Sequence, residues 1–72
     1  MTNHQSMLRN TVREERARRG WTQPELCARA GISKPTLIAV ERYQKVPTVA
    51  VMRKLGEALD IPWTELWQEQ VA

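Results

Sequence analysis

The chain has 72 residues, 42% of them hydrophobic and 26% charged, with a formal net charge of +3. A chain of this length makes one small domain with a thin core, which excludes a cofactor-binding domain beside a substrate domain, and its composition is that of a globule rather than a disordered tail. One Cys and one His exclude an internal disulfide and a four-ligand zinc site, so reinforcement is expected from good helix packing or from oligomerisation.

Residues 1–6 are polar and are expected to form a frayed arm, with His4 as a solvated side chain. They lack the basic-then-apolar order of a signal peptide, and no apolar run approaches the roughly 20 residues that cross a bilayer. The expectation is a cytoplasmic protein with a reduced Cys27 and no membrane partner. Residues 7–68 are read as the folded domain and 69–72 as a weakly specified tail. β-branched residues never alternate with polar ones over a strand's length, so the predicted fold class is all-α, with five helices and no strand.

The first helix is predicted over about Met7 to Arg19, stopped by Gly20 at the left-handed position past the helix end. Leu8, Val12 and the stem of Arg16 share one face at i, i+4 and i+8. The second helix has a full start signal. Thr22 is the N-cap, Glu25 completes a Thr-x-x-Glu capping box, and Trp21 staples onto Leu26. Pro24 is tolerated in the first turn, Leu26, Cys27 and Ala30 face inward, and Gly31 ends the helix. One residue later Ser33 caps a third helix, with Pro35 in its first turn and Ile32 stapled onto Leu37. Leu37 and Val40 face inward, while Lys34, Thr36, Ile38, Ala39 and Arg42 point elsewhere. Two short capped helices joined by a tight Gly-containing turn make a helix-turn-helix.

Tyr43 to Pro47 is read as a loop. Thr48 caps a fourth helix whose apolar face is Val49, Met52, Leu55, Gly56 and Leu59. Gly56 weakens that helix by about 1 kcal/mol relative to Ala, so close contact with a neighbouring helix is expected there. Asp60 occupies the position after the helix, and Pro62 opens a last short helix through Trp63, Leu66 and Trp67.

The run from Thr22 to Glu41 resembles the helix-turn-helix of the phage-repressor/Cro family, also called xenobiotic-response-element-type regulators. That family shows Thr-Gln-x-x-Leu-Ala, then Gly-Val-Ser, then Thr-Ile-x-x-Ile-Glu at this spacing. Arg16 stands at the family's helix-one Arg, Pro47-Thr48-Val49 resembles its Pro-Ser-Leu, and Leu59-Asp60-Ile61 its Leu-Gly-Val. The likeness covers about residues 8–67. Cys27, Pro35, Tyr43 and Pro62 depart from the pattern.

The resemblance implies a double-stranded DNA-binding transcriptional regulator, acting as a repressor by operator occupancy, whose third helix enters the major groove. The residues it places at DNA are Gln23, Lys34, Pro35, Ile38 and Ala39, with Ser33 and Thr36 beside them; Arg42, Tyr43, Gln44 and Lys45, two cations, a phenol and an amide that follow the recognition helix, are expected over a phosphate strand. Lys34 can donate to guanine O6 and N7, whereas Ile38 and Ala39 can only meet thymine methyls or exclude bases sterically. Gln23, at the start of the second helix, falls where N–H groups favour a phosphate. The resemblance also pairs Arg16 with Glu41, read as a structural ion pair. Residues 1–46 carry nine basic and four acidic side chains and residues 47–72 two and four, an asymmetry that suits a polyanionic partner.

A homodimer on a roughly palindromic operator is expected. Its interface is assigned to Trp63, Trp67 and Val71, since Trp is enriched in interface hot spots, with Trp63 preferred over Trp67 because the resemblance puts Trp67 at a position that is usually an inward aromatic. No cofactor, metal or small-molecule ligand is expected. Nor is an enzyme, since no Ser/His/Asp or Cys/His arrangement and no Gly-rich phosphate loop occur. The rival reading is a helical protein-interaction module that retains the fold, such as an antitoxin or controller partner, favoured by the apolar Pro35, Ile38 and Ala39.

Overall fold

The computed structural model describes the backbone of residues 6–71 and the side chains of residues 8–69; the polar arm through Gln5, with His4, lies outside the described residues. The chain runs β1 (Ser6–Asn10), α1 (Val12–Arg18), α2 (Gln23–Ala30), α3 (Lys34–Tyr43), α4 (Val49–Leu59), α5 (Trp63–Leu66) and β2 (Trp67–Val71).

Local chemistry sets most of the boundaries. The Thr22, Ser33 and Thr48 hydroxyls accept from the backbone N–H groups of Glu25, Thr36 and Val51, each three residues on, satisfying donors that a helix start leaves free. Gly20 and Gly31 take left-handed φ values of 70° and 71° after α1 and α2, which Gly reaches without a Cβ clash. Asp60 takes the same region at φ 58° after α4.

The core is a single cluster. Val12, Leu26, Ala30, Leu37, Val40, Met52, Leu55, Leu59, Leu66 and Trp67 are buried, with Trp21, Cys27, Ile32 and Trp63 packed around it. Gly56 is buried where α4 meets the start of α5. A Cβ there would stand 2.7 Å from the Ile61 carbonyl oxygen and 3.0 Å from the Trp63 nitrogen. The close neighbour of Gly56 is therefore not the packed face of another helix, as expected, but the backbone that leads into the last one.

The all-α expectation is corrected to a mostly helical fold with a small sheet. β1 and β2 pair antiparallel, with Ser6 opposite Val71 and Asn10 opposite Trp67. The first predicted helix loses its first turn and a half to β1, and Leu8, assigned to its inward face, is 38% exposed on the strand. The physical cause is Asn10. Its Oδ1 accepts from Val12 N–H at 3.0 Å, a local side-chain bond that competes with helix and starts α1 only at Val12. Residues 67–71, expected to close the last helix and begin a weakly specified tail, are strand. Pairing with the N-terminal segment supplies the backbone partners that neither segment has alone.

Candidate nucleic-acid interface

Helices α2 and α3 are joined through Gly31, Ile32 and Ser33. Gly31 and Ile32 both donate their backbone N–H to the Cys27 carbonyl, at 2.8 and 3.1 Å, which closes the turn tightly. Successive α3 side chains are about 100° apart, so burial of Leu37, Val40 and Glu41 fixes what faces out. Lys34, Pro35 and Arg42 are exposed, Ile38 and Ala39 half-buried on the flanks of the outer face, and Thr36 half-buried towards α4. Ser33 Oγ lies 2.8 Å from Thr36 Oγ1, so both hydroxyls serve the helix start. Tyr43 and Lys45 are exposed just beyond the helix, and the Arg42 guanidinium lies 5.7 Å from the centre of the Tyr43 ring.

A buried carboxylate holds α3 on the body. Glu41 is 6% exposed. It accepts from Arg16 Nε at 2.7 Å and from Arg16 Nη2 at 3.0 Å, a two-bond pairing with geometric as well as electrostatic content. A third bond comes from Gln23 Nε2 at 3.1 Å. Arg16 Nη1 also donates to the Trp21 carbonyl at 2.8 Å. The bond to Glu41 raises the Arg16 pKa above its already high value, against burial, which lowers it. The hub thus ties α1, the start of α2 and α3 together. Gln23, assigned to a phosphate, spends one amide hydrogen-bond donor on Glu41.

Gln44 is also engaged within the protein. It caps α3 in the left-handed region at φ 52°, and its Oε1 accepts from Asn10 N–H at 2.9 Å and from Asn10 Nδ2 at 3.0 Å. Asn10 was missed as a functional candidate. The only signal for it was an Asn just ahead of a helix start, and that was obscured by reading the helix through it. Arg9 and Arg13 are exposed. Arg29, by contrast, stacks 4.1 Å from the centre of the Trp21 ring and pairs with Glu25 at 3.2 Å.

At the other end of the domain, Trp67 is 5% exposed and belongs to the monomer core, so it has no surface left for a dimer contact. Trp63 is half-buried beside an open groove lined by Arg53, Glu57, Asp60, Ile61 and Pro62. The side chain of Val71 lies outside the described residues. Cys27 is half-buried, and burial pushes its thiol pKa up, with the Glu41 charge adding to the rise and Lys34 opposing it. Among the described residues no group of His, Cys, Asp and Glu could hold a metal ion. No helix among them is long and apolar enough to cross a membrane.

Two capped helices at a tight turn, the second presenting its outer face and locked from behind, are the geometry of a DNA reader. Residues 12–66 match the helix-turn-helix family pattern. The chain belongs to the phage-repressor/xenobiotic-response-element type of that helix-turn-helix family. Similar proteins include the HTH-type transcriptional regulator SutR of Escherichia coli K12, 34% identical over 64 residues, which are 89% of this chain and 36% of that protein. The uncharacterized HTH-type transcriptional regulator YqaF of Bacillus subtilis is 30% identical over 63 residues, 88% of this chain and 83% of that one. An uncharacterized HTH-type transcriptional regulator of Methanothermobacter thermautotrophicus is 35% identical over 52 residues, 72% and 75% of the two chains. This chain therefore spans about a third of SutR and most of YqaF, and the helix-turn-helix is what they share.

Proposed function

We propose that the protein is a sequence-specific, duplex-DNA-binding repressor that acts by occupying its operator. The observation that carries this reading is the exposed face of α3, with Lys34, Pro35 and Arg42 outward and Ile38 and Ala39 on its flanks, backed by the Arg16–Glu41–Gln23 hub. Lys34 reads a base edge, Ile38 and Ala39 meet thymine methyls, and Arg42, Tyr43 and Lys45 lie along a phosphate strand. Gln23 and Gln44, partly spent inside the protein, contribute through their free amide atoms and the adjacent backbone. The protein works in the cytoplasm as a homodimer on a palindromic site, half-sites roughly 34 Å apart, with Trp63 at the interface, away from the basic surface. Selection of bound duplexes from a random pool, followed by mobility shift at two salt concentrations, tests this. Enrichment of one palindrome, with retention falling steeply as salt rises, supports it; no retention at low salt refutes it.

One observation favours the rival reading of a protein-interaction module. Tyr43, Val46 and Val49 are 62%, 51% and 47% exposed, and an apolar groove between α3 and α4 runs along Ala39, Val46, Pro47 and Val51. On that reading the groove takes a protein segment, and random duplex is not retained at low salt.

A further inference from the structure

We propose that Asn10 is the positioning residue for the exit of the recognition helix, through which the terminal β-ribbon sets the placement of the Lys45 ammonium. This rests on the DNA-binding reading above. Asn10 is 5% exposed, and its backbone N–H and both side-chain polar atoms are engaged at that end of the fold. Its backbone N–H and its Nδ2 both donate to Gln44 Oε1, its Nδ2 also donates to the Val40 carbonyl at 3.0 Å, and its Oδ1 accepts from Val12 N–H. One side chain thus joins β1, the start of α1 and the last turn of α3, across 34 residues of sequence to Gln44.

The receiving end is under strain. Gln44 holds φ 52° and ψ 34°, a region that a residue with a Cβ occupies only when its surroundings over-determine it. The Asn10 bonds provide that determination. In this conformation the chain reverses so that the Gln44 and Lys45 N–H groups both return to the Ala39 carbonyl, the latter at 3.0 Å, while the Val40 carbonyl, the usual acceptor at a left-handed helix end, is taken by Asn10 Nδ2. Lys45 is the residue immediately after the strained one, so its direction follows from the Gln44 backbone. β1 is in turn held by β2, with Asn10 opposite Trp67 and Thr11 N–H bonded to the Leu66 carbonyl at 3.1 Å. Pairing of the two chain ends therefore reaches the far end of the DNA-reading helix through one side chain.

Salt dependence separates positioning from plain stability. Asn10 and Gln44 are uncharged, so neither releases a counterion itself. A change in the salt slope on altering either must arise through a displaced cation. Wild type, Asn10→Ala, Gln44→Gly, Lys45→Ala and the Asn10→Ala/Lys45→Ala double variant are titrated with random-sequence duplex across a salt series, each at a temperature where it is folded. Gln44→Gly removes the bond to Asn10 but suits the left-handed backbone, so it stays folded if Asn10→Ala does not. The expected result is a slope reduced by about one unit in Asn10→Ala and in Lys45→Ala, with no further reduction in the double variant, whereas Gln44→Gly, whose glycine takes the left-handed backbone unaided, keeps the wild-type slope. An unchanged slope in Asn10→Ala overturns the proposal. So does a slope lowered by Gln44→Gly, which would mean Gln44 acts without Asn10. Hydrogen exchange of the Gln44 and Lys45 amides in the free protein decides the coupling independently of DNA. Faster exchange in Asn10→Ala supports it and unchanged exchange overturns it, even if the wild type retains no duplex and the DNA reading itself falls.

Discussion

Removing one member of the Arg16–Glu41 pair should cost far more than removing both, and the two single losses should be unequal. The Glu41 side chain is 2% exposed and that of Arg16 15%. Arg16→Met leaves a carboxylate sealed in the protein with one remaining donor, Gln23; breaking a buried pair in this way costs about 3–5 kcal/mol. Glu41→Leu leaves a guanidinium that still donates to the Trp21 carbonyl and has some access to water, so its cost should be smaller. In the double variant no charge is stranded. What remains lost is the Arg16–Trp21 hydrogen bond, about 1 kcal/mol, while half-buried Gln23 can turn to solvent. Arg16→Met/Glu41→Leu should therefore recover most of the Arg16→Met loss. Urea titrations followed by tryptophan fluorescence give the four stabilities of the cycle. Losses that simply add would show that the two side chains do not interact energetically, and a Glu41→Leu loss larger than that of Arg16→Met would refute the argument from burial.

Gly56→Ala should destabilise despite a helix-propensity gain of about 1 kcal/mol, because the new Cβ meets backbone at Ile61 and Trp63 that cannot swing aside; overpacking of this kind costs about 1–3 kcal/mol, and a raised melting temperature would contradict it. Lys34→Ala should weaken binding to the selected operator more than to random duplex, by a discrimination of about 1–3 kcal/mol; equal loss on both, with the salt slope down about one unit, would reassign Lys34 to a phosphate. Trp63→Ala should convert a dimer to a monomer in sedimentation at micromolar concentration; a wild type that is monomeric, or a variant that still dimerises, removes Trp63 from the interface. The Cys27 thiol should react with an alkylating reagent more slowly in the folded than in the unfolded chain. Its folded pKa is raised by burial, so the unfolded state ionises first and stability should fall as pH rises past the unfolded thiol's value, about 8.5; a stability flat across that range would contradict this.

The helix starts were legible because each is a short-range bargain between a hydroxyl and an N–H three residues on. The Thr22, Ser33 and Thr48 hydroxyls all accept as their sequence context requires, although the Glu25 carboxylate, expected to close the capping box onto Thr22, pairs with Arg29 instead. Gly56 was legible for a similar reason, since a helix-weakening residue on an apolar face needs a packing cause. The sheet was not legible. Its strands lie at opposite ends of the chain and are five residues each, and no alternation marks either one; their pairing is a fact about distance in space, which sequence periodicity does not carry. The same non-locality hid the true engagements of the glutamines. Gln23 and Gln44 sit at helix ends where a polar side chain suits a phosphate equally well, and only the fold brings Glu41 to one and Asn10 to the other. Residue chemistry does not separate Trp63 from Trp67, and only the resemblance favours Trp67 as the inward one. In sequence both are apolar residues on a short helix, and it is the turn into β2 that drives Trp67 under the body and leaves Trp63 at the rim.

The division of labour on α3 has a consequence for how such a reader would discriminate. Of the side chains on or flanking its outer face, Pro35, Ile38 and Ala39 offer no hydrogen bond, and Thr36 is turned to Ser33. With Arg42 on a phosphate strand, as proposed, direct readout by hydrogen bonding falls to Lys34 on this helix, because a base edge is told apart by donors and acceptors and otherwise only by the thymine methyl. A reader so built discriminates through methyl contacts, steric exclusion and the shape of the duplex, and these depend on the helix meeting the groove at one fixed angle. A helix that rocked would average such weak contacts away. On the proposed reading, a sparsely polar outer face calls for firm backing, and the bonds behind α3 supply it: Glu41 is held by three donors and Gln44, the cap of the helix, by Asn10, while Leu37 seals its first half into the core.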